Sequence, residues 1–233
     1  SSIDHLTDVD GTLFFVADDG VSGQELWKSD GTPGGTALVT DFIPGAPGSQ
    51  INSIVAFDGA AFVVAYDGGT FGQEPWRSDG VTTTLLKDIR PGPPGSLVTD
   101  MTPHEGVLYF GAGDSAAVGV ELWRSDGTPA GTERVADLAP SGSSYPYRFV
   151  SACGRLWFCA ERFANGRELW ALETAVETYC TAKASSCGTL PTMAASGFPS
   201  AAATAGFVVR AETAKAGKAG LLLYTDAGRA NAP

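Results

Sequence analysis

The sequence predicts an all-β protein built from repeated antiparallel sheets of four short strands. Its 233 residues include 30 glycines and 14 prolines, a share of turn-forming residues well above the average composition. Charged residues make up 18% and hydrophobic residues 43%, which favours a folded, turn-rich protein over a disordered one. A short motif also recurs at a fixed period along most of the chain, which is the signature of a repeat architecture.

The recurring motif is centred on a tryptophan. Residues 25–32 read ELWKSDGT and residues 121–128 read ELWRSDGT, while less complete copies read EPWRSDG at 74–80 and ELWALE at 168–173. Successive motif tryptophans are 49, 47 and 47 residues apart. They are Trp27, Trp76, Trp123 and Trp170. A turn glycine keeps the same period, so we predict four repeats, at about 1–48, 49–95, 96–143 and 144–173.

Four strand signals follow one another within each repeat. In the second repeat, an alternating stretch at 51–57 ends in a hairpin dipeptide, and a β-rich stretch at 61–66 ends in Asp-Gly-Gly. Residues 74–77 and 83–89 give the third and fourth strands, each closed by a glycine-containing turn. Four antiparallel strands in 40–50 residues are typical of a β-propeller blade, so the prediction is a β-propeller. A parallel β-solenoid is the structural alternative.

The two ends of the chain carry separate predictions. Ser1-Ser2-Ile3 aligns with the start of the second repeat, so we expect either four blades that close on themselves or the last four of a larger propeller. From residue 174 the chain is rich in alanine and lacks tryptophan. Strand-like stretches at 207–212 and 221–225 predict a small C-terminal β module at 174–233, either truncated or docked on the propeller.

The repeated side chains are predicted to serve the fold. An indole at the same place in every blade suits the apolar seam between neighbouring blades, with a ring of sugar-stacking platforms as the alternative. In the repeated Ser-Asp-Gly turn, the aspartate accepts backbone N–H bonds and the glycine takes a positive φ. These aspartates are Asp30, Asp79 and Asp126. Calcium binding by them, or by periodic acids lining a central channel, is a further hypothesis, although one carboxylate per turn falls well short of a calcium shell.

Several function classes are disfavoured. A net charge of −11 argues against binding to the nucleic-acid backbone. No apolar run is long enough for a membrane span, and no signal-peptide pattern opens the sequence. The two histidines, His5 and His104, lie at different phases of the repeat without a nucleophile motif beside them, and no metal, phosphate-loop or haem spacing is present. We therefore predict that the chain is not an enzyme and has no firm cofactor or metal.

The four cysteines cluster near the junction between the repeats and the tail. They are Cys153, Cys159, Cys180 and Cys187. An even, clustered number favours disulfides in a secreted protein. Cys180 and Cys187 close a short loop and could bridge easily. Cys153 and Cys159 lie too far apart along a strand to bridge each other, so they either stay reduced or pair with the tail.

The fourth repeat concentrates aromatic and cationic side chains. Rigid aromatic rings beside arginine are frequent in recognition patches. The predicted contact residues are Tyr145, Tyr147, Arg148 and Trp157. The alternative interpretation is a terminal blade that is adapted to cap the stack against the tail, because terminal repeats are commonly atypical.

The motif Glu-Leu-Trp-x-x-Asp-Gly-Thr, followed by x-x-Gly-Thr at 33–36 and 129–132, resembles the ELWxxDGT repeat family of secreted bacterial proteins. The resemblance covers about 1–173; the second copy has Pro75 in place of leucine, and the fourth lacks Asp-Gly-Thr. Residues 180–224 are similar to C-terminal modules of secreted myxobacterial-type proteins. The family implies a propeller-like fold and a secreted or cell-surface location, and it carries no established activity.

Together these features predict a secreted or cell-surface propeller that mediates extracellular binding, adhesion or assembly. Similar loops repeated on one face suit multivalent contacts with a protein or glycan partner. A carbohydrate-binding propeller and a non-catalytic fragment of a larger secreted enzyme are the alternatives.

Overall fold

A computed structural model describes residues 3–45, 47–115, 119–140, 142–162 and 166–173, together with the backbone of 192–196 and 208–212. Every helix or strand in these residues is a β-strand. Strands within each sheet are antiparallel and follow chain order. The all-β class and the repeated antiparallel sheets are therefore confirmed. Closure of the sheets into a propeller is not seen among the described residues.

The four repeats give four sheets. Sheet 1 contains β1 (Ile3–Val9), β2 (Thr12–Asp18), β3 (Gln24–Ser29) and β4 (Ala37–Thr40). Sheet 2 contains β5 (Ser53–Phe57), β6 (Ala60–Tyr66), β7 (Gln73–Ser78) and β8 (Thr83–Leu85). Sheet 3 contains β9 (Thr99–His104), β10 (Val107–Gly113), β11 (Val120–Ser125) and β12 (Glu133–Ala136). Sheet 4 contains β13 (Tyr147–Ala152), β14 (Arg155–Arg162) and β15 (Gly166–Glu173).

Consecutive sheets pack against each other through three apolar clusters. Between sheets 1 and 2, Phe14 and Leu26 meet Ile51 and Ile54. Sheets 2 and 3 share a second cluster, and sheets 3 and 4 share a third. Each layer removes apolar side chains from water, which is the main favourable term in folding. The core is thus divided into seams between repeats, as expected when no repeat can bury its apolar face alone.

The first strands of the sheets lie beside one another, β1 next to β5, β5 next to β9 and β9 next to β13. Two hydrogen bonds between neighbouring repeats join residues at the same separation. Thr7 Oγ1 donates to the Ile54 carbonyl at 3.0 Å, and Thr99 Oγ1 donates to the Pro146 carbonyl at 2.9 Å. Both pairs are 47 residues apart. The period found in the sequence is therefore also the spacing of contacts between sheets.

The fourth strand of sheet 2 is shorter than predicted. The sequence predicts a strand over 83–89, but β8 ends at Leu85. Beyond it, the backbone N–H groups of Ile89 and Arg90 donate to the buried carboxylate of Glu74 rather than to a neighbouring strand. The equivalent glutamates of sheets 1 and 3 accept the same kind of bond although β4 and β12 pair further. What differs in sheet 2 is Pro75, which replaces Leu26 and Leu122 and has no backbone N–H to continue the ladder.

The tail contains β16 (Thr192–Ser196) and β17 (Val208–Glu212), which pair as an antiparallel hairpin. The second strand lies where the sequence predicts 207–212, whereas the first was not predicted. The predicted strand at 221–225 lies outside the described residues. Across the described part of the chain, the search for a helix of membrane-spanning length and apolarity finds none.

Candidate functional site

Three of the four first strands, β1, β9 and β13, carry a bulge at the same repeat position. His5, Asp100 and Arg148 occupy equivalent positions and have φ angles of +54°, +40° and +55°. At each, the strand has one residue more than its partner, and the register shifts within 4–7, 99–102 and 147–150. A bulge bends the strand and re-aims its side chains, and bulges are frequent beside functional sites. The equivalent Ser53 lies in the regular ladder of β5.

A cavity of about 620 Å³ opens between the first strands of sheets 2, 3 and 4, which falls in the range of ligand pockets. Its polar and charged lining comprises Asn52, Ser53, Thr99, Asp100, Thr102 and Arg148. Its apolar lining comprises Val98, Met101 and Phe149, all of them buried. The cavity thus combines an apolar wall with a small number of polar groups, the composition usual for small-molecule sites.

Each of the two charged residues of the cavity has a defined neighbour. Asp100 Oδ2 accepts a hydrogen bond from the backbone N–H of Arg148 at 2.7 Å. The Arg148 guanidinium lies over the Tyr147 ring, 5.7 Å from its centroid, and the Arg167 guanidinium lies 5.5 Å from the same centroid. One carboxylate and one guanidinium therefore line the same opening, each with a defined neighbour.

Of the four contact residues predicted from the sequence, Arg148 is the one that lines this cavity. Tyr145 is 51% exposed, with a φ of +42°. Tyr147 is half-buried between the two guanidinium groups described above. Trp157 donates from Nε1 to the Ala152 carbonyl at 3.2 Å, and the Arg155 guanidinium lies 6.0 Å from its ring centroid. The aspartate that shares the opening with Arg148 was not among the predicted residues.

The motif tryptophans differ in how far they are covered. Trp123 and Trp170 are buried, and each belongs to the apolar cluster shared with the preceding sheet. Trp76 is half-buried against the cluster between sheets 1 and 2, with its ring edge-on to Phe42 at 5.2 Å between centroids. Trp27, in the first sheet, is half-buried. Three of the four indoles therefore pack in seams between sheets.

The motif aspartates accept hydrogen bonds from residues of their own turns. Asp30 Oδ1 accepts from the backbone N–H and the hydroxyl of Thr32, and Asp126 Oδ1 does the same with Thr128. Asp79 Oδ1 accepts from two backbone N–H groups. These bonds lower the pKa of all three carboxyl groups. No group of three or more His, Cys, Asp or Glu side chains suited to a metal ion is found in the part of the chain that the structure describes.

The motif glutamates are buried hydrogen-bond acceptors, a role that was not predicted from the sequence. Glu25, Glu74 and Glu121 are completely buried. Ser144 Oγ donates to Glu121 at 2.7 Å, and Ser96 Oγ donates to Glu74 at 2.6 Å, so each carboxylate reaches the start of the following repeat. Burial raises the pKa of all three, that of Glu74 to about 7. The recurrence of a glutamate two residues before each motif tryptophan was the available signal.

A further hydrogen bond between neighbouring repeats involves the buried His104. His104 Nδ1 and Ser151 Oγ are 2.8 Å apart, on β9 and β13. His104 Nε2 is 4.0 Å from Glu105, which exceeds a hydrogen-bond distance. The imidazole is only 3% exposed and replaces an apolar core residue of the other repeats. The pair therefore crosses the seam between sheets 3 and 4, at the same separation of 47 residues as the bonds above.

Cys153 is exposed and Cys159 is half-buried, and both are free thiols in the structure. The other two disulfide candidates, Cys180 and Cys187, lie outside the described residues. The described structure therefore contains no partner for either thiol.

No family model matches the chain, and a comparison with curated proteins finds no significant relative. Among solved structures, the crystal structure of puromycin hydrolase matches with a TM-score of 0.50 and 17% identity, over 74% of this chain and 27% of that chain. A mutant of puromycin hydrolase complexed with PGG matches with a TM-score of 0.47 and 19% identity, over 81% and 30%. Acylaminoacyl peptidase from Pyrococcus horikoshii matches at 0.47 and 13%, over 73% and 26%.

These matches correct one prediction. The prediction that the chain is not an enzyme was wrong, because the solved structure that it matches at a TM-score of 0.50 is that of an enzyme, puromycin hydrolase. That prediction relied on missing catalytic motifs. The chain spans only 26 to 30% of the matched chains, and catalytic residues of a larger enzyme need not lie in such a portion. At these identities the likeness concerns the fold.

Proposed function

We propose that this chain is a ligand-binding, propeller-like domain of a larger secreted hydrolase of the ELWxxDGT repeat type. We propose that its binding site is the cavity between the first strands of sheets 2, 3 and 4. The cavity carries the proposal, because three consecutive sheets contribute equivalent positions to one opening that contains both Asp100 and Arg148. The likeness to puromycin hydrolase favours a hydrolase as the larger protein. The secreted or cell-surface location rests on the motif and on the cluster of cysteines.

The chemistry of the lining selects a class of ligand. A guanidinium binds a carboxylate with two parallel hydrogen bonds, and a carboxylate attracts an ammonium group. Phe149, Met101 and Val98 offer an apolar wall for a side chain between the charged ends. A short peptide with free termini has this combination of an anionic end, a cationic end and an apolar side chain. We therefore assign small zwitterionic peptides to the cavity.

Calorimetric titration of the chain with glycyl-phenylalanine tests this assignment. We expect saturable binding, weakened about tenfold or more by Arg148→Met, because a charged partner is lost from the ligand's carboxylate. Arg77→Met is the matched control, since Arg77 lies on β7 and outside the cavity lining. Absence of heat for the unmodified chain, or equal weakening by both variants, would contradict the proposal.

A further inference from the structure

Sheet 4 brings together four side chains in a combination that the other three repeats lack. They are Tyr147 and Arg148 on β13, Glu161 on β14 and Arg167 on β15. None of the first three repeats has an arginine at the positions equivalent to Arg148 and Arg167, and none has an aromatic residue at that of Tyr147. The group is therefore specific to the fourth repeat and is not part of the repeating framework.

The bulge in β13 brings the side chain of Arg148 over the ring of its own chain neighbour. In a regular strand, adjacent side chains point to opposite faces of the sheet. Here the register shifts between Tyr147 and Val150, and Arg148 has a φ of +55°. A bulge re-aims a side chain in this way, and the Arg148 guanidinium lies 5.7 Å from the centroid of the Tyr147 ring. The Asp100 carboxylate holds the bulge, because its Oδ2 accepts from the Arg148 backbone N–H.

The ring orients the guanidinium of Arg148 without neutralising its charge. Of the ion pairs between residues that the structure describes, none includes Arg148. A guanidinium that lies on an aromatic face keeps the N–H donors at its edge available. Such an edge binds a carboxylate through two parallel hydrogen bonds. Arg148 is thus held in place while its charge and its donors remain available to a ligand in the cavity.

The second guanidinium at the same ring is already paired. Arg167 lies 5.5 Å from the Tyr147 centroid, and its Nε donates to Glu161 Oε1 at 2.5 Å. This hydrogen bond is the main reason that the pKa of Arg167 is raised. Because Glu161 compensates the charge of Arg167, the repulsion between the two guanidinium groups at one ring is reduced. Arg148 is therefore the member of the group whose charge can serve a ligand.

We propose that Tyr147 is a positioning residue of the cavity, whose ring holds the Arg148 guanidinium in the orientation that receives the free carboxylate of a peptide ligand. This inference rests on the proposed function, because it takes the cavity as the peptide site. Without the ring, the flexible arginine side chain samples more rotamers, and its loss of freedom on binding weakens the complex. The carboxylate becomes the recognised end of the ligand, so a peptide that ends in an amide is disfavoured.

Calorimetric titration of three variants with glycyl-phenylalanine tests the proposal. Tyr147→Leu should weaken binding about three- to fivefold, because the contact between ring and guanidinium is lost. Tyr147→Phe keeps an aromatic face and should bind within about twofold of the unmodified chain. Tyr66→Leu is the matched control and should leave binding unchanged, since Tyr66 is also half-buried but lies on β6, outside the cavity lining. Far-ultraviolet circular dichroism shows that each variant is folded.

Titration with glycyl-phenylalanine amide separates positioning from a merely structural role of Tyr147. This ligand has no carboxylate, so the unmodified chain should bind it about tenfold more weakly, and Tyr147→Leu should not weaken its binding further. Equal weakening of both ligands by Tyr147→Leu overturns the positioning role, as does binding of the dipeptide by Tyr147→Leu at full strength or by Tyr147→Phe as weakly as by Tyr147→Leu. Absence of binding by the unmodified chain overturns the proposed function, and this inference with it.

Discussion

The glycine that ends the motif acts on the aspartate that begins the turn. A Cβ on Gly35 would collide with the carboxylate of Asp30, and a Cβ on Gly131 would collide with that of Asp126. The carboxylate can therefore receive the Thr32 and Thr128 donors only when this position has no side chain. The Asp-Gly-Thr-x-x-Gly-Thr pattern is thus one structural unit.

Gly35→Ala is expected to destabilise the chain by about 1–3 kcal/mol, because the Asp30 carboxylate must move away from its two donors. The adjacent Gly34 is a matched control, since a Cβ there meets nothing within 4 Å. Gly34→Ala should change the free energy of unfolding by less than about 0.5 kcal/mol. Urea denaturation of both variants makes the measurement, and equal effects would refute this role for Gly35.

Glu74 stabilises the seam between sheets 2 and 3, because its carboxylate accepts three hydrogen bonds there. Glu74→Ala should lower the free energy of unfolding by about 2–4 kcal/mol, because buried donors on Ile89 and Ser96 lose their acceptor. Glu133 is the control, since its ion pair with Arg124 is partly exposed and contributes less than about 1 kcal/mol. A small effect of Glu74→Ala on the free energy of unfolding, measured by chemical denaturation, would show that these hydrogen bonds are dispensable.

At the scale of the element, the strands could be predicted and their inner details could not. Glycine-containing turns and alternating apolar residues place the strands of sheet 2 within a few residues of where they lie. The early end of β8 follows from Pro75 on the neighbouring strand, which has no backbone N–H to pair with it, and the prediction of a strand over 83–89 did not take this into account. The bulges at Asp100 and Arg148 place non-glycine residues at positive φ angles that no sequence pattern indicated, so the cavity that they line was not predicted.

The motif tryptophans are expected to contribute unequally to stability, because the seams between sheets cover them to different extents. Trp123→Ala should cost about 3–5 kcal/mol, because a buried indole is removed from a filled seam. Trp27→Ala should cost roughly 1–2 kcal/mol, because Trp27 is only half-buried. The comparison uses thermal and chemical unfolding of both variants. Equal losses would mean that the indoles do not depend on a preceding sheet.

For the whole molecule, the buried glutamates and the turn aspartates predict opposite pH dependences. The folded-state pKa of Glu74 is raised to about 7, so the native chain binds more protons than the unfolded chain between its ordinary pKa and 7. Stability from this group is present at acid pH and falls as the pH rises through 7. The lowered pKa values of Asp30, Asp79 and Asp126 make stability fall when the pH drops below the ordinary aspartate range.

Urea unfolding as a function of pH should therefore show greatest stability in mildly acidic solution, with a decline towards pH 8. Glu74→Gln should flatten that decline, because the substituted group does not titrate. The same change should leave the acid limb, which belongs to the aspartates, in place. A decline towards pH 8 that is unchanged in the variant would assign it to other groups.

The packing of successive repeats against one another is tested most directly by distances between protons of neighbouring repeats. Nuclear Overhauser effects in the isotopically labelled chain measure these distances. The account predicts contacts between Thr7 and Ile54 and between Thr99 and Pro146, each pair 47 residues apart. It also predicts contacts between Ser151 and the His104 ring. Contacts between strands of successive repeats in a parallel, coil-like register, with these pairs absent, would contradict it.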